Sequence, residues 1–582
     1  MELKKLSDYM NEAKIIKPKA EYKKIRVAFL GSFSLNGFEE TIQVQSNEEK
    51  INCITYNAPY NQYNQEILNN NSDLYKFNPE LIFLLIDTRT ILGDFFYSSY
   101  EYSDKERKNF VNEKFLELQN LIETVIKKCQ SKIVLTNFLI PTYSSLGIFD
   151  SKIEYGLKEM IIELNKKLKQ ISLKNNSVYL FDFNSFVAKF GEKNVLDFKK
   201  LFFGDIRISF DIIPFLIYEF MGFLKPMLGL NKKCIVLDLD NTLWGGIVGE
   251  DGLEGIKLGP DPAGSPFVEF QKMLKSLEKR GIILAVNSKN NFDDAIKVLK
   301  EHPYMILREE DFACLKINWN DKISNMKEIS NELNIGLDSM IFFDDDPVNR
   351  ELIKMSIPEV KTIDLTDDPA YFSSILMDLN DFNSLKITED DFKRTNMYQQ
   401  ENKRHALEYS TKNLNEYLEK LNINVKVKLA NKFSIPRISQ LILKTNQFNL
   451  TTKRYQEEEI KKFTEDENIV VGCAEVNDKF GESGITNVFI IKKNDDEWFL
   501  DTFLLSCRIM GRGIEEGILG KIVELAKKEK VKTIKAQFVP TQKNKPAENF
   551  LYEFGFHKDG EFWLFSVKDS INIPNHLVVR FE

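Results

Sequence analysis

Short apolar runs alternate with longer amphipathic stretches through most of this chain, and that alternation sets the first reading of its architecture. From Lys24 the segment IRVAFLGSF has the apolar density of a buried strand. A helical stretch follows, then PELIFLLID, a long amphipathic helix, KIVLTNFLIP and SVYLFDF. Strands separated by helices in this way predict a parallel sheet covered on both faces. An apolar helix ending near Leu230 closes the unit. A second alternation begins at Lys233 with CIVLDLDNT and continues through IILAVNSKN, SMIFFDDDP and EVKTIDL, predicting another doubly wound sheet. From about Leu379 to Glu419 the chain is highly charged and helix-prone, which reads as a linker. After Leu421, NINVKVKLA, NIVVGCAEV, GITNVFIIKK and WFLDTFLLS are successive strands, followed by a helix from Gly513 and the strand TIKAQFV. That order predicts a mostly antiparallel α+β domain.

The expected organisation is α/β multidomain, with an N-terminal helical extension over 1–23 and α/β domains over 24–230 and 231–378. A linker over 379–420 and an α+β domain over 421–582 complete it. A length of 582 residues agrees with several cores rather than one. The net charge of -8 provides no field for polyanions, so nucleic acid is not an expected partner. The cysteines at 53, 129, 234, 314, 473 and 507 form no CxxC pair, which excludes a zinc framework and favours a reducing cytoplasm. Met1 to Ala20 lacks the apolar core of a signal peptide, so the mature chain is expected to start here. Ile212 to Leu230 is broken by Pro214, Glu219, Lys225 and Pro226 and reads as a buried helix, not a membrane span.

The chemistry concentrates in the middle domain. KCIVLDLDNT sets Asp238 and Asp240 at the C-terminal end of an apolar strand, where open α/β sheets bind ligands. Residues two apart on an extended strand point the same way, so both carboxylates can reach one site. One can attack an electrophile such as phosphorus while the other passes protons. Ser288, Lys322, Asp344 and Asp345 follow at later strand ends or helix starts. A hydroxyl and an ammonium would hold phosphoryl oxygens, and the last carboxylates would bind Mg²⁺ with the first aspartate. Any one of these acidic residues could merely end a strand; the ordered set makes that reading weak.

These pieces resemble the haloacid dehalogenase (HAD) superfamily, whose motifs are DxDxT, Ser or Thr, Lys, and paired acids. The resemblance implies Asp238 as nucleophile, Asp240 as general acid/base, and Thr242, Ser288 and Lys322 as phosphate ligands. It implies Asp238, Asp240, Asp344 and Asp345 around the metal, with Asp346 leaving open which of the last acids takes part. About forty residues separate Thr242 from Ile282, too few for a cap domain, so a bulky substrate can enter.

DLDNTLWGGIVGEDG, INWNDK, FFDDDPVNREL, KTNQFNLTTKRY and SCRIMGRGIEE together resemble the FkbH-like branch, HAD subfamily IIIC, over roughly 24–560. Members resemble glyceryltransferase/phosphatases that take the acyl group of 1,3-bisphosphoglycerate, remove phosphate and load an acyl carrier protein thiol. The resemblance thus implies a small phosphorylated substrate and a carrier partner in polyketide or polysaccharide biosynthesis. Cys314 and Cys507 are the candidates for a transient thioester, although a buried small hydrophobe is the commoner fate of a free cysteine. Arg508, Gly511, Arg512 and Gly513 form a glycine loop which, with Asn544, resembles the coenzyme A or phosphopantetheine loop of GNAT acyltransferases. The tyrosine often used in that fold would align with Leu551. The first domain resembles an SGNH hydrolase through Ser32, but the first 301 residues hold no histidine, so it is expected to be non-catalytic, a scaffold or carrier-docking surface. The alternative is a sugar-phosphate phosphatase coupled to coenzyme A-dependent acyl transfer.

Overall fold

The computed structural model describes residues 3–582 except 393, 395, 396, 399, 401–403, 405, 406, 409 and 412, and it leaves aside the side chains of 389 and 390. The middle of the expected helical linker therefore lies outside the described residues. The chain forms two compact units, Met1–Leu224 and Lys225–Glu582.

The first unit is built on five parallel strands, β1 (Lys23–Gly31), β2 (Ile51–Asn57), β3 (Leu81–Leu85), β4 (Lys132–Thr136) and β5 (Val178–Phe181). Their order is β2-β1-β3-β4-β5. Strand β2 was not among those expected: it lies at the sheet edge and is only partly buried, so INCITYN carries no continuous apolar run. The helix Asp104–Lys128 starts at a Ser103/Glu106 capping box and turns Val111, Leu118, Ile122 and Val125 into the core.

The second unit holds two sheets. The first has parallel strands β6 (Cys234–Leu237), β7 (Ile283–Ser288), β8 (Phe312–Ile317), β9 (Met340–Asp344) and β10 (Lys361–Asp364), ordered β10-β9-β6-β7-β8. Strand β8 also escaped the sequence reading, because FACLKI carries partly exposed Leu315 and Lys316 inside a stretch read as a short connection. Central β6, β7 and β9 are buried along their whole length, which is why they read as apolar runs.

The other sheet comprises β11 (Ile423–Leu429), β12 (Phe448–Asn449), β13 (Ile469–Asp478), β14 (Gly481–Lys493), β15 (Glu497–Leu505), β16 (Thr533–Ala536), β17 (His557–Asp559), β18 (Phe562–Ser566) and β19 (Leu577–Phe581). The main order is β17-β18-β16-β15-β14-β13-β11-β19. It is antiparallel except at β15/β16 and β11/β19. Strand β16 follows β15 only along Glu497–Leu500. Beyond that point the same edge of β15 is taken by the chain itself: Phe448 and Asn449 pair with Leu505 and Leu504, and the Leu450 N–H donates to the Phe503 carbonyl at 3.1 Å. Val539 N–H in turn donates to Leu450 at 2.8 Å, closing the gap from the other side. Among the described residues no helix is long and apolar enough to cross a membrane.

A buried charge network ties the second unit together. Lys225 and Asp381 are each almost fully buried and lie 3.0 Å apart, and Lys361 reaches the other Asp381 oxygen at 2.6 Å. Burial alone would raise the Asp381 carboxyl, but the two ammonium groups outweigh it and hold it at about 2. Replacing the carboxylate removes the counter-charge that the buried Lys225 faces at 3.0 Å. Asp381→Asn is therefore expected to cost about 3–5 kcal/mol in denaturant unfolding at pH 7. Because the folded pKa is depressed, this contribution is complete above the unfolded value of about 4 and vanishes as pH falls through about 2. A wild-type-minus-variant stability difference that grows towards acid contradicts the assignment.

Candidate active site

Parallel pairing around β6 brings the C-terminal ends of the central strands to one edge. Asp238 follows β6 directly, and its N–H donates to the Phe343 carbonyl of β9 at 2.9 Å. Ser288 ends β7 and Asp344 ends β9. Lys322 enters from the first turn of the helix Lys322–Glu332, which Asp321 caps by accepting from Ser324 N–H at 2.8 Å. Its carbonyl is fixed by the Asn287 amide at 2.9 Å.

Asp238, Asp344 and Asp345 each offer a carboxylate oxygen, and these oxygens lie within 4.8 Å of one another. The Lys322 ammonium, 2% exposed, sits 3.0 Å from Asp238 and in contact with Asp344. Burial would lower this lysine, but the two carboxylates outweigh it and raise it above its ordinary value. Burial, then the charge of Asp238, pushes both Asp344 and Asp345 up to about 6. Oδ1 of Asp238 is buried with no protein partner. A compact set of hard oxygen donors with one orphaned carboxylate oxygen fits Mg²⁺. Ser288 is 1% exposed, and Thr242 is fully buried with an unpartnered hydroxyl.

Several surrounding residues were not singled out from the sequence. The Asp240 carboxylate accepts from Trp244 Nε1 at 2.8 Å, Asn290 Nδ2 at 2.8 Å and Val248 N–H at 3.1 Å. It therefore stands outside the three-carboxylate cluster, and the expectation that its side chain binds the metal is corrected: its oxygens are already committed to donors. Burial raises its pKa, which suits a proton-passing group. Arg350 donates to the carbonyls of Asp344 at 2.8 Å and Asp345 at 2.6 Å and so fixes the acidic loop. Asp346 turns away to cap the next helix, accepting from Val348 N–H at 2.8 Å. Gly246, at φ +92°, lets the turn after Trp244 close tightly against Asp251; a Cβ there would lie 2.4 Å from Asp251 Oδ2. Asn290 is identified only by a long-range contact to Asp240, whereas Trp244 and Arg350 hold acids within their own motifs, DLDNTLWGG and FFDDDPVNREL.

The remaining candidates divide. Cys314 lies in β8 at 3% exposure, packed among apolar residues that include Val236 and Met326, and burial pushes its thiol well up. A thiol kept protonated in a core is not a nucleophile, which corrects that expectation. Cys507 is half-buried in the turn Cys507–Ile509. Gly511 and Gly513 have φ of +76° and +69° and lead into the helix Ile514–Lys528. Arg512 points inward, 3.8 Å from Asp478, and is 5% exposed, so its side chain does not face a ligand. Asn544 is fully buried: its amide donates to the carbonyls of Asn449 and Val539, and its oxygen accepts from Thr541 N–H. It latches β12 in place, which corrects its expected cofactor contact. Leu551 is in the core and Tyr552 is exposed. In the first unit, Ser32 is 1% exposed and accepts from Asp87 N–H at 2.9 Å. A small cleft outside the strand ends is lined by residues including Phe33, Asp87, Asn137, Phe183 and Arg207. There Arg207 is ion-paired to Asp87 and Asp205, so the position supplies no base.

A five-stranded parallel sheet with Asp238, Lys322, Asp344 and Asp345 converging at its C-terminal edge defines a capless HAD-like phosphatase. Residues 26–225 match the family model of the FkbH N-terminal domain, so the FkbH-like resemblance read from the sequence is shown. The crystal structure of the N-terminal part of BF1531 from Bacteroides fragilis, containing a phosphatase domain complexed with Mg, is 27% identical, with TM-score 0.61. The match covers 66% of this chain and 100% of that one. The ribosomal-protein-S18-alanine N-acetyltransferase of Escherichia coli is similar over 25% of this chain and 94% of its own, at 11% identity and TM-score 0.21. Rv2747 from Mycobacterium tuberculosis, in complex with CoA and NLQ, is similar over 23% of this chain and 72% of its own, at 15% identity and TM-score 0.18. Neither acetyltransferase likeness carries weight below. No curated protein matches the chain.

Calorimetric titration with Mg²⁺ tests the metal cluster. Asp344→Asn and Asp345→Asn are each expected to weaken binding at least about tenfold, or about 1.4 kcal/mol. Asp346→Asn should bind as wild type because its side chain serves a helix cap. Unchanged affinity in the first two variants refutes the cluster.

Proposed function

We propose that the chain is a Mg²⁺-dependent glyceryltransferase/phosphatase that uses a small glyceryl phosphate donor, such as 1,3-bisphosphoglycerate, and delivers the acyl group to an acyl carrier protein thiol. The observation that carries the reading is the convergence of Asp238, Lys322, Asp344 and Asp345 at an open, capless sheet edge. Asp238, Asp344 and Asp345 would hold Mg²⁺, which when bound neutralises charge on phosphoryl oxygens. Asp238 attacks phosphorus, the bond to the leaving oxygen breaks, and that oxygen takes a proton from Asp240. Asp240 then takes a proton from water, whose oxygen displaces phosphate from the aspartyl-phosphate. Lys322 neutralises phosphoryl oxygens throughout, and the Ser288 hydroxyl at the same edge is placed to donate to them.

An acyl phosphate is also an acyl donor. A thiolate attacks its acyl carbon, the C–O bond breaks, and phosphate leaves; a phosphomonoester at the far end of the acyl group is then substrate for Asp238. The FkbH-like N-terminal match and the Mg-complexed phosphatase neighbour support this reading over a general phosphatase. The sugar-phosphatase alternative needs coenzyme A in the last domain. It is disfavoured because the chain's own residues Phe448–Leu450 occupy the free edge of β15 and Asn544 is committed to holding them.

Asp238→Asn keeps the shape and removes the nucleophile, so phosphate release should fall at least about a thousandfold with folding unchanged. Retained release removes the nucleophile assignment. Intact-mass spectrometry after exposure to freshly generated 1,3-bisphosphoglycerate, Mg²⁺ and an acyl carrier protein bearing a free phosphopantetheine thiol should show a glyceryl thioester on the carrier. Phosphate release from other phosphomonoesters without any thioester favours the sugar-phosphatase reading.

A further inference from the structure

Trp319 is an exposed aromatic ring at the rim of the phosphoryl site. Of the four tryptophans, Trp244 and Trp498 are buried and Trp563 is half-buried, whereas Trp319 is 70% exposed. It belongs to the turn between β8 and the helix that opens with Lys322. That turn is pinned to the end of β7, because Asn318 N–H donates to the Ser288 carbonyl at 3.2 Å. Asn318 Oδ1 accepts from Asn320 N–H at 2.9 Å and from Asn325 Nδ2 at 3.0 Å, which fixes the backbone under the indole. The ring is fixed as well: its Nε1–H donates to Asn291 Oδ1 at 3.1 Å.

This bond leads to the proton-passing carboxylate. Asn291 N–H donates to Asn290 Oδ1 at 3.1 Å, and Asn290 Nδ2 donates to Asp240 Oδ2 at 2.8 Å. Trp319 and Asp240 are thus joined through consecutive residues of the loop after β7, while Asp344 and Asp345 stand at the end of β9. When a phosphomonoester reacts, Asp240 gives its proton to the oxygen leaving phosphorus. The carbon skeleton bonded to that oxygen therefore lies on the Asp240 side, and with no cap domain above it, it emerges towards the indole. Phe292, the residue after Asn291, is exposed on the same loop.

A ring left this open contributes little to the fold, since apolar surface stabilises by being buried. With its N–H spent on Asn291, it offers a ligand no hydrogen bond, only a flat apolar face. Such a face gains from C–H-rich or planar carbon and nothing from phosphate itself. We propose that Trp319 is a specificity-determining residue of the phosphatase site, its indole face receiving the carbon skeleton that departs from phosphorus. The site thereby selects phosphomonoesters with a propyl-length or aromatic skeleton over methyl or inorganic phosphate. This inference rests on the reading of Asp240 as the group that protonates the leaving oxygen, and names what the open site uses in place of a cap.

The test reads binding of phosphonates, which cannot be hydrolysed, by calorimetry on the full chain with Mg²⁺, beside turnover of phenyl phosphate. Phenylphosphonate and propylphosphonate should bind the wild type at least about tenfold more tightly than methylphosphonate. Trp319→Ala, checked for an unchanged thermal melt, should weaken both at least about fivefold and leave methylphosphonate and inorganic phosphate within about twofold. Trp319→Phe keeps a flat face without the N–H and should bind both within about threefold of wild type. For phenyl phosphate, the alanine variant should raise KM at least about fivefold with kcat within about twofold. Wild-type affinity in Trp319→Ala, an equal loss for methylphosphonate, or a loss in Trp319→Phe as large as in Trp319→Ala overturns the assignment. A wild-type chain that releases no phosphate from phenyl phosphate sinks the phosphatase reading instead, and the phosphonate comparison still decides the role of Trp319.

Discussion

The Lys322 ammonium is the charge on which the phosphoryl site depends. Three carboxylates converge because β6 and β9 are parallel neighbours ending at the same level, and burial, with the charge of Asp238, raises Asp344 and Asp345. A single buried cation against Asp238 and Asp344 offsets part of that repulsion without filling the space between them. The helix that begins at Lys322 and the amide of Asn287 hold it there, so the site is set by backbone positions and not by flexible surface groups.

The same strand economy explains the rest of the second unit. The C-terminal edge of its parallel sheet belongs to phosphoryl chemistry, while the N-terminal edge, at Asn334 and Asp338, meets the turn that carries Cys507 and the loop at Lys543. The mixed sheet has its open strand edge, on β15, filled by Phe448–Leu450. Its contribution is therefore a fixed platform for Cys507 and the glycine turn, with the latch at Asn544 keeping the edge closed.

Legibility followed burial. Strands β1, β3, β6, β7 and β9 read clearly because helices cover both faces and demand apolar side chains throughout. Edge strands β2 and β12 did not, since partial exposure or a length of two residues leaves no pattern. The sequence pieces Asp238, Lys322, Asp344 and Asp345 meet in space as a cluster, because each ends a strand or starts a helix and parallel pairing aligns such positions. Asp240 was misread as a metal ligand because spacing says where a carboxylate can point, not which donors claim it.

The sequence by itself determined the division into α/β and α+β segments, the acidic, serine and lysine motifs and the lack of a histidine base in the first unit. All of these are properties of local periodicity, residue type or count. Tertiary structure alone decided that Cys314 is core, that Asn544 is a latch, and that the Cys507 carbonyl meets Asn334 on the approach to β9. Those outcomes depend on which segments pack together, and burial and hydrogen-bond commitment arise only once distant parts of the chain share the same space.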